Sequence, residues 1–281
     1  MQQVIAVLCL LVMSVAAVAQ APTVATTTIG VEGAPRQGGV LFVKIEGIEG
    51  AEATVRWVNK TFQAVRLPNE PFLRVVLPVP VDARPGTHPL VVGDTRRDVP
   101  IRSKWFGHQS IWLPAAMLAT YDTPRSKRDD EILIEATRRM VGEMLWRGNF
   151  ARPAAGYEST PFGIKRLYNG WRKGWHRGVD VAVGDGTPLH APAAAVVGLV
   201  APGQYTNGNA IVLNHGLGVS SLYLHMSRFA AKTGEKVARG EVFGYSGHSG
   251  AGTGPHLHWG MYVWGVPIDP AVFRALPAGW H

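Results

Sequence analysis

The stretch His256-Leu257-His258-Trp259-Gly260-Met261-Tyr262-Val263 constrains this chain more than any other. Apolar and polar residues alternate along it, and aromatic and β-branched types are frequent, which predicts a β-strand. Strand side chains point to alternate faces, so His256 and His258 share the face opposite the apolar residues. Such a pair of imidazoles suits a metal site or proton transfer. On this stretch alone, a packing role remains open, with one histidine capping a turn and the other hydrogen-bonded in the core.

Composition and charge narrow the class of protein. The chain has 281 residues, which is enough for one or two domains with a substantial core. Its 33 glycines and 20 prolines favour β-structure with many turns over long helices. The formal net charge of +8 suits an acidic partner, either nucleic acid, an anionic membrane or a bacterial wall. No Lys/Arg cluster interleaved with aromatic residues is present, so a nucleic-acid partner is not expected.

Residues 1–19 are predicted to be a signal peptide. An apolar run over residues 4–19 is shorter than the roughly 20 residues that a membrane-spanning helix needs. It ends in Ala17-Val18-Ala19, a small-x-small cleavage pattern. The start, Met1-Gln2-Gln3, lacks Lys and Arg, so a retained anchor is the alternative. We expect export to the periplasm, cell envelope or exterior, with no stable membrane span after cleavage.

Cysteine usage restricts the chemistry further. Cys9 is the only cysteine, and it precedes the predicted cleavage site. The mature chain would therefore have no thiol, disulfide or thiolate ligand. A metal site in this protein must use nitrogen and oxygen donors.

The pattern upstream of residue 151 predicts a small β domain followed by a connecting segment. Residues 34–103 read as short strands with turns, spaced as in a β-sandwich-like N-terminal domain. His88 and His108 are expected to be structural or exposed. Residues 104–150 connect the domains and contain a helix near 124–147, whose apolar stripe at i, i+4 spacing predicts core packing or a docking face. The stripe comprises Ile132, Leu133, Ala136, Met140, Val141, Met144 and Leu145.

Residues 151–275 return to a β pattern, and they hold seven of the ten histidines. We find no convincing helix after Gly163, so the fold class is mainly β, with a compact antiparallel C-terminal domain. Glycine, asparagine and proline turns separate its candidate strands.

Two further β segments carry polar groups opposite their apolar side. In His176-Arg177-Gly178-Val179-Asp180, the i, i+4 spacing places the imidazole and the carboxylate on one face. In Tyr223-Leu224-His225-Met226, the imidazole again lies opposite the apolar residues. Two histidines and one carboxylate are good zinc ligands that leave a fourth position open. A surface ion pair is the alternative for His176 and Asp180.

These motifs, His-x-x-x-Asp, Tyr-x-His-Met and Gly-Pro-His-Leu-His-Trp, resemble those of the lysostaphin-type (LytM-domain) zinc metallopeptidases, which cut peptide bonds in bacterial peptidoglycan. The similarity covers about residues 155–272. It implies a lysostaphin-like antiparallel β domain of the duplicated hybrid type with an open groove. It also implies one Zn²⁺ per chain, held by His176, Asp180 and His258, with His225 and His256 beside the metal as proton-transfer groups.

The resemblance predicts an exported zinc endopeptidase acting on peptidoglycan peptides, by direct attack of water. A non-catalytic wall-binding or hydrolase-activating module of the same fold is the main alternative, and an exported protease acting on proteins is another. His190, His215 and His248 are expected to be exposed, on the rim or in turns. Tyr168 and Trp171 precede the first ligand, and the sequence assigns neither a role. It does not indicate the oligomeric state or the bond that is cut.

Overall fold

The computed structural model describes residues 26–33, 35–139, 142–170, 172–252 and 254–280. Strands predominate, which confirms the mainly β fold class. The predicted signal peptide lies outside the described residues, as do Met140, Val141 and Trp171. Among the described residues, no helix combines the length and apolar character needed to cross a membrane.

The N-terminal strands form one antiparallel sheet in the order β1-β2-β5-β4-β3-β6-β7. It begins at Thr28, slightly before the predicted start of the domain. Its edges approach each other, since Arg97 donates to the carbonyl of Ile29 across β7 and β1. The strands are β1 (Thr28–Gly33), β2 (Val40–Glu46), β3 (Glu52–Trp57), β4 (Lys60–Arg66), β5 (Leu73–Pro78), β6 (Gly86–Val92) and β7 (Thr95–Ile101).

Strands β2 and β5 are shared between two hydrophobic cores. Leu41 and Val75 point into the core of the N-terminal sheet, whereas Phe42 and Val76 point into the core of the C-terminal domain. This alternation follows from the two-residue period of a strand, and it explains why all six residues of β5 are buried. The N-terminal sheet therefore packs directly on the C-terminal domain.

The connecting segment contains β8 (His108–Ile111), α1 (Ala115–Leu118) and α2 (Pro124–Arg138). Thr123 caps α2 by accepting from the backbone N–H of Ser126 at 3.0 Å. The predicted extension of this helix to residue 147 is wrong, because Arg139 has extended backbone angles. Trp146 explains the early end, since its fully buried ring lies in the C-terminal core and donates to the carbonyl of Trp280.

The face of α2 packs on the sheet of the C-terminal domain. Leu133 and Ala136 are buried against Leu222, Leu224 and Tyr262, which confirms a packing role for this part of the stripe. Ile132, another predicted member, is half exposed. The helix thus packs on the same face of the sheet as the candidate site.

The C-terminal domain contains three sheets. The largest sheet has the strand order β18-β14-β15-β16-β20-β12-β9, and β21 pairs with β20 outside this order. The second sheet has the order β13-β19-β17. The third has the order β11-β10-β8, and its strands β8 and β10 are parallel. A 3₁₀-helix at Pro270–Arg274 is the single helical turn described after Gly163. The strands are β9 (Glu158–Thr160), β10 (Lys165–Tyr168), β11 (Arg172–Trp175), β12 (Val179–Val181), β13 (Pro188–His190), β14 (Ala195–Gln204), β15 (Gly208–Gly216), β16 (Val219–Met226), β17 (Arg228–Phe229), β18 (Lys236–Val237), β19 (Val242–Tyr245), β20 (Leu257–Val263) and β21 (Val266–Ile268).

Candidate metal centre

Two neighbouring strands and the turn before them bring three side chains together. Asp180 on β12 lies directly opposite His258 on β20 in the antiparallel ladder. His176 lies just after β11, four residues before Asp180, and all three side chains are buried. Directly opposed residues share one face of a sheet, so the register of β12 and β20 builds the cluster.

The donor atoms of this cluster fit a small cation. His176 Nε2 lies 2.9 Å from Asp180 Oδ1, His258 Nδ1 lies 3.0 Å from the same oxygen, and the two nitrogens are 3.1 Å apart. Ligands of a tetrahedral zinc ion, with bonds of about 2.0–2.2 Å, lie roughly 3.3 Å from one another. His176, Asp180 and His258 form a group whose ligand atoms all lie within 4.8 Å. The residues present therefore fit a zinc ion.

Backbone contacts fix the tautomer of His176. Its Nδ1–H donates to the carbonyl of Pro161 at 2.9 Å, because a carbonyl oxygen can only accept. Nε2 of the neutral ring then carries the lone pair and faces Asp180 and His258. Such hydrogen bonds from the remote ring nitrogen orient metal-ligating histidines in proteins.

Burial and hydrogen bonding set the charges in the cluster. Burial favours the neutral form of the Asp180 carboxyl, but the adjacent imidazoles of His176 and His258 outweigh it and hold the pKa of Asp180 well below its usual range. Burial lowers the pKa of His258 to about 4. At neutral pH the cluster is therefore a carboxylate beside a neutral imidazole at His258, which is the protonation state that a metal requires.

His225 and His256 form a second pair of imidazoles, with ring centroids 4.7 Å apart. His225 Nδ1 donates to the carbonyl of Ser249 and His256 Nδ1 donates to that of Gly254, so Nε2 of each neutral ring carries the lone pair. The backbone of His225 has a φ of +63°, which residues other than glycine rarely adopt. Such strained backbone conformations cluster at functional sites. Burial, followed by the charge of His256, lowers the pKa of His225 to about 4.

Arg166 on β10 is part of the cluster, although it was not among the site residues predicted from the sequence. Its Nη2 donates to Asp180 Oδ2 at 2.8 Å, and its Nε donates to Gln109 Oε1 at 3.3 Å. The guanidinium thus occupies one carboxylate oxygen and leaves Oδ1 facing the two imidazoles. No motif signals this residue, because its contact depends on how β10 lies against β12.

Gly178 is a second residue of the site to which the sequence assigned no role in the metal cluster. A Cβ atom at this position would lie 2.5 Å from the carbonyl oxygen of Trp259 and 2.8 Å from His258 Nε2. These separations are shorter than real Cβ contacts allow. Glycine therefore lets the backbone after His176 pass close to β20.

Two residues of the cluster, His176 and His258, line a groove of about 450 Å³. His176, His225 and His258 lie along it, and Tyr168 is also among its lining residues. One wall is formed by α2, whose Asp129 and Asp130 accept hydrogen bonds from the backbone N–H of Tyr205 and the side chain of Asn207. These contacts fix the helix beside the metal cluster.

The other histidines that the structure describes outside the two imidazole groups do not line this groove. His190 is exposed and donates to the carbonyl of Gly240, and His248 forms an exposed pair with Asp185 at 3.0 Å. His108 is exposed too. His215 was expected in a turn, yet it is fully buried on β15, because its two ring nitrogens bond to the carbonyl of Ala194 and to Ser221 Oγ.

The sequence of this chain is similar to those of known peptidases. Residues 174–270 match peptidase family M23. The chain is 41% identical over 122 residues to the DD-carboxypeptidase/endopeptidase Mpg of Neisseria meningitidis serogroup B, which is 42% of this chain and 27% of that protein. It is 40% identical over 94 residues to the peptidoglycan DD-endopeptidase ShyA of Vibrio cholerae, covering 34% of this chain and 22% of the relative. The chain thus spans about a quarter of the length of these curated relatives.

A solved structure extends the likeness to almost the whole fold. A crystal structure assigned to peptidase M23 from Pseudomonas aeruginosa superposes with a TM-score of 0.66 at 30% identity, covering 85% of this chain and 95% of that one. The coverage reaches beyond the residues of the family match, and the clustered His176, Asp180 and His258 all lie within that match. This chain belongs to peptidase family M23.

Proposed function

We propose that this chain is an exported, zinc-dependent endopeptidase that hydrolyses peptide bonds in bacterial peptidoglycan. The cluster of His176, Asp180 and His258 in the groove is the observation that carries the proposal. Two imidazoles and one carboxylate form a donor set that leaves a coordination position open, as in catalytic zinc sites. The names of the relatives, DD-carboxypeptidase/endopeptidase and peptidoglycan DD-endopeptidase, support wall peptides as the substrate.

Under this proposal, His176 Nε2, Asp180 Oδ1 and His258 Nδ1 hold the metal. When bound, zinc supplies Lewis-acid chemistry, since it polarises a carbonyl and acidifies water. Arg166 orients the Asp180 carboxylate through Oδ2, so that Oδ1 is the oxygen available as a ligand. A peptide bound in the groove would lie beside these residues.

The proton is moved by the pair of His225 and His256. His225 is neutral at pH 7, because burial lowers the pKa of its imidazole to about 4. Its Nε2 lone pair can accept the proton of the attacking water and return it to the leaving amine. His256 lies against the His225 ring, and a protonated Nε2 in this pair would stabilise the negative charge that develops on the carbonyl oxygen.

The proposed location is outside the cytoplasm. The signal-like segment of residues 1–19 and a substrate in the cell wall both support export. Amino-terminal sequencing of the protein recovered from the envelope tests this part, with Gln20 expected as the first residue.

Hydrolysis of the wall tests the proposed activity. The purified full chain should contain one zinc ion, clarify isolated sacculi and release products cut at a peptide bond, as identified by mass spectrometry. His258→Ala should lose both zinc and hydrolysis, whereas His248→Ala should match the wild type, since His248 is exposed and paired with Asp185. A zinc-loaded wild type that leaves sacculi and cross-linked peptides intact would instead support a wall-binding or hydrolase-activating module.

A further inference from the structure

The three-stranded sheet β11-β10-β8 separates the metal groove from an outer face. Directly opposed residues share a face, so Trp175, Lys165 and His108 form one row across the three strands. Arg166 and Tyr168, the residues that alternate with this row on β10, line the metal groove. We call Trp175, Lys165, His108 and the nearby Trp105 the outer row.

The ring of Trp105 contacts its neighbours but is largely exposed to solvent. It is 82% exposed, the largest value among the exposed apolar side chains described. The ring rests above Gly107, where even an added Cβ would lie 3.4 Å from ring atoms, and it meets His108 edge-on with centroids 6.3 Å apart. The ring shares one cavity with His108, Lys165 and Trp175, so it belongs to an aromatic and polar surface and is not an isolated exposed side chain.

Hydrogen-bond donors accompany the rings of the outer row. Lys165 Nζ lies 4.8 Å from the centre of the Trp175 ring, and His108 is exposed beside it. Two cavities of about 740 and 300 Å³ cover the row and share His108, Lys165 and Trp175. With strands about 4.8 Å apart, the row from β11 to β8 spans roughly 10 Å, which is comparable with the length of a disaccharide.

The outer row is continuous with the metal groove. The larger of these two cavities and the groove share Arg166, Gly174 and Trp175. Gly174 has no side chain to separate them, and even a Cβ there would meet no atom within 4 Å. A polymer lying on the outer row can therefore pass a substituent into the groove.

We propose that the outer row binds the glycan strand of the substrate, a polymer of N-acetylated hexoses, while the attached peptide enters the metal groove. Flat aromatic rings cover the apolar faces of pyranose rings, and the Lys165 and His108 donors match their hydroxyl and acetamido oxygens. This inference rests on the proposed function, because it assigns the second part of the same wall polymer to the same protein.

Trp112 provides a matched control for Trp105. It is 76% exposed, and it lies beyond the other end of β8, outside the residues that line either cavity. Calorimetric titration of the full chain with chitohexaose, a linear oligomer of N-acetylglucosamine, should give saturable binding. Trp105→Ala should weaken that binding by about 10-fold, a change typical of a central aromatic contact, whereas Trp112→Ala should not.

Kinetics separate this inference from the proposed function. Trp105→Ala should raise KM about 10-fold for glycan-linked cross-linked peptides and leave glycan-free cross-linked peptides unaffected. The inference is overturned if wild type does not bind chitohexaose, if the two tryptophan variants behave alike, or if Trp105→Ala weakens cleavage of both substrates equally, which would indicate peptide docking. Saturable, Trp105-dependent binding of chitohexaose without any peptide hydrolysis would support the glycan site and reject the proposed peptidase activity.

Discussion

Arg166 and Asp180 form a 2.8 Å ion pair that occupies Oδ2 of the carboxylate, while Oδ1 faces both imidazoles of the metal cluster. Asp180 comes from β12 and Arg166 comes from β10, so the pair joins the large sheet to the three-stranded sheet beside it. Oδ2 of Asp180 is therefore held by Arg166, and Oδ1 is left available as a metal ligand.

We therefore expect Arg166→Met to weaken zinc binding by about 10- to 100-fold, the usual cost of losing a hydrogen bond to a metal ligand. Competition with a chromophoric chelator measures the affinity directly, without relying on turnover. Lys165→Met is the matched control, because the neighbouring side chain points to the opposite face of β10. An affinity equal to that of the wild type in Arg166→Met would show that Asp180 is oriented without this ion pair.

His225→Ala should separate metal binding from turnover. The imidazole of His225 is outside the three-residue cluster, so the variant should retain zinc at the wild-type level. Loss of a proton-transfer group should lower kcat by roughly 10²- to 10⁴-fold. Zinc content by elemental analysis and hydrolysis of cross-linked peptides provide the two readings, with His190→Ala as an exposed control. A His225→Ala protein that retains wild-type kcat would remove this residue from the mechanism.

Gly178→Ala tests the close approach of the backbone to β20. The new methyl group would lie 2.5 Å from the Trp259 carbonyl oxygen and 2.8 Å from His258 Nε2, so β20 or the segment before β12 must shift. We expect destabilisation of about 1–3 kcal/mol in chemical denaturation, the usual cost of overpacking, together with weaker zinc binding. Gly174→Ala should change neither quantity, since a Cβ atom there has open space. Equal stability and zinc affinity in the two variants would contradict the steric argument.

His215 should make the stability of the fold depend on pH. Burial lowers the pKa of its imidazole to about 4, against about 6.5 in the unfolded chain, so below pH 6.5 the unfolded state binds more protons. Stability should therefore fall as the pH is lowered from about 6.5 to 4, by about 3 kcal/mol from this residue. Denaturation of wild type and His215→Gln across this range isolates the effect, because glutamine cannot take up the proton. Parallel pH profiles for the two proteins would show that protonation of His215 does not oppose folding.

The connecting helix shows where sequence patterns are sufficient and where they are not. The helix begins at Pro124, close to its predicted start, because the Thr123 side chain caps it through a local hydrogen bond and the fixed φ of Pro124 suits the first turn. Its end was placed too late, since the apolar stripe continues to Leu145 in the sequence. Trp146 has its partner at Trp280, far along the chain, and no local pattern reports such a contact.

The histidines also show what a local sequence pattern can predict and what it cannot. The alternation of polar and apolar residues correctly placed His258 on the face opposite Trp259 and Met261. The alternation predicted around His225 is wrong, because Tyr223 is buried in the core and Leu224 lies opposite His258 on the groove face. The positive φ of His225 interrupts the alternation there. The structure brings His176, Asp180 and His258 together and places His225 against His256. Their roles as ligands and proton carriers stay predictions until zinc content and turnover are measured. His215 has a similar local pattern but is fully buried, because the Phe150 ring packs against it and both ring nitrogens form hydrogen bonds within the domain.

By itself, the amino-acid sequence determined the mainly β character of the chain, the strand positions of its motif histidines and its resemblance to the lysostaphin-type peptidases, since these depend on residues close together in the chain. Only the tertiary structure decided that Arg166 meets Asp180, that Gly178 must lack a side chain, and that β2 and β5 serve two cores. These features depend on which strands and sheets lie against each other. Such packing arises from residues distant in sequence, so no local period or spacing encodes it.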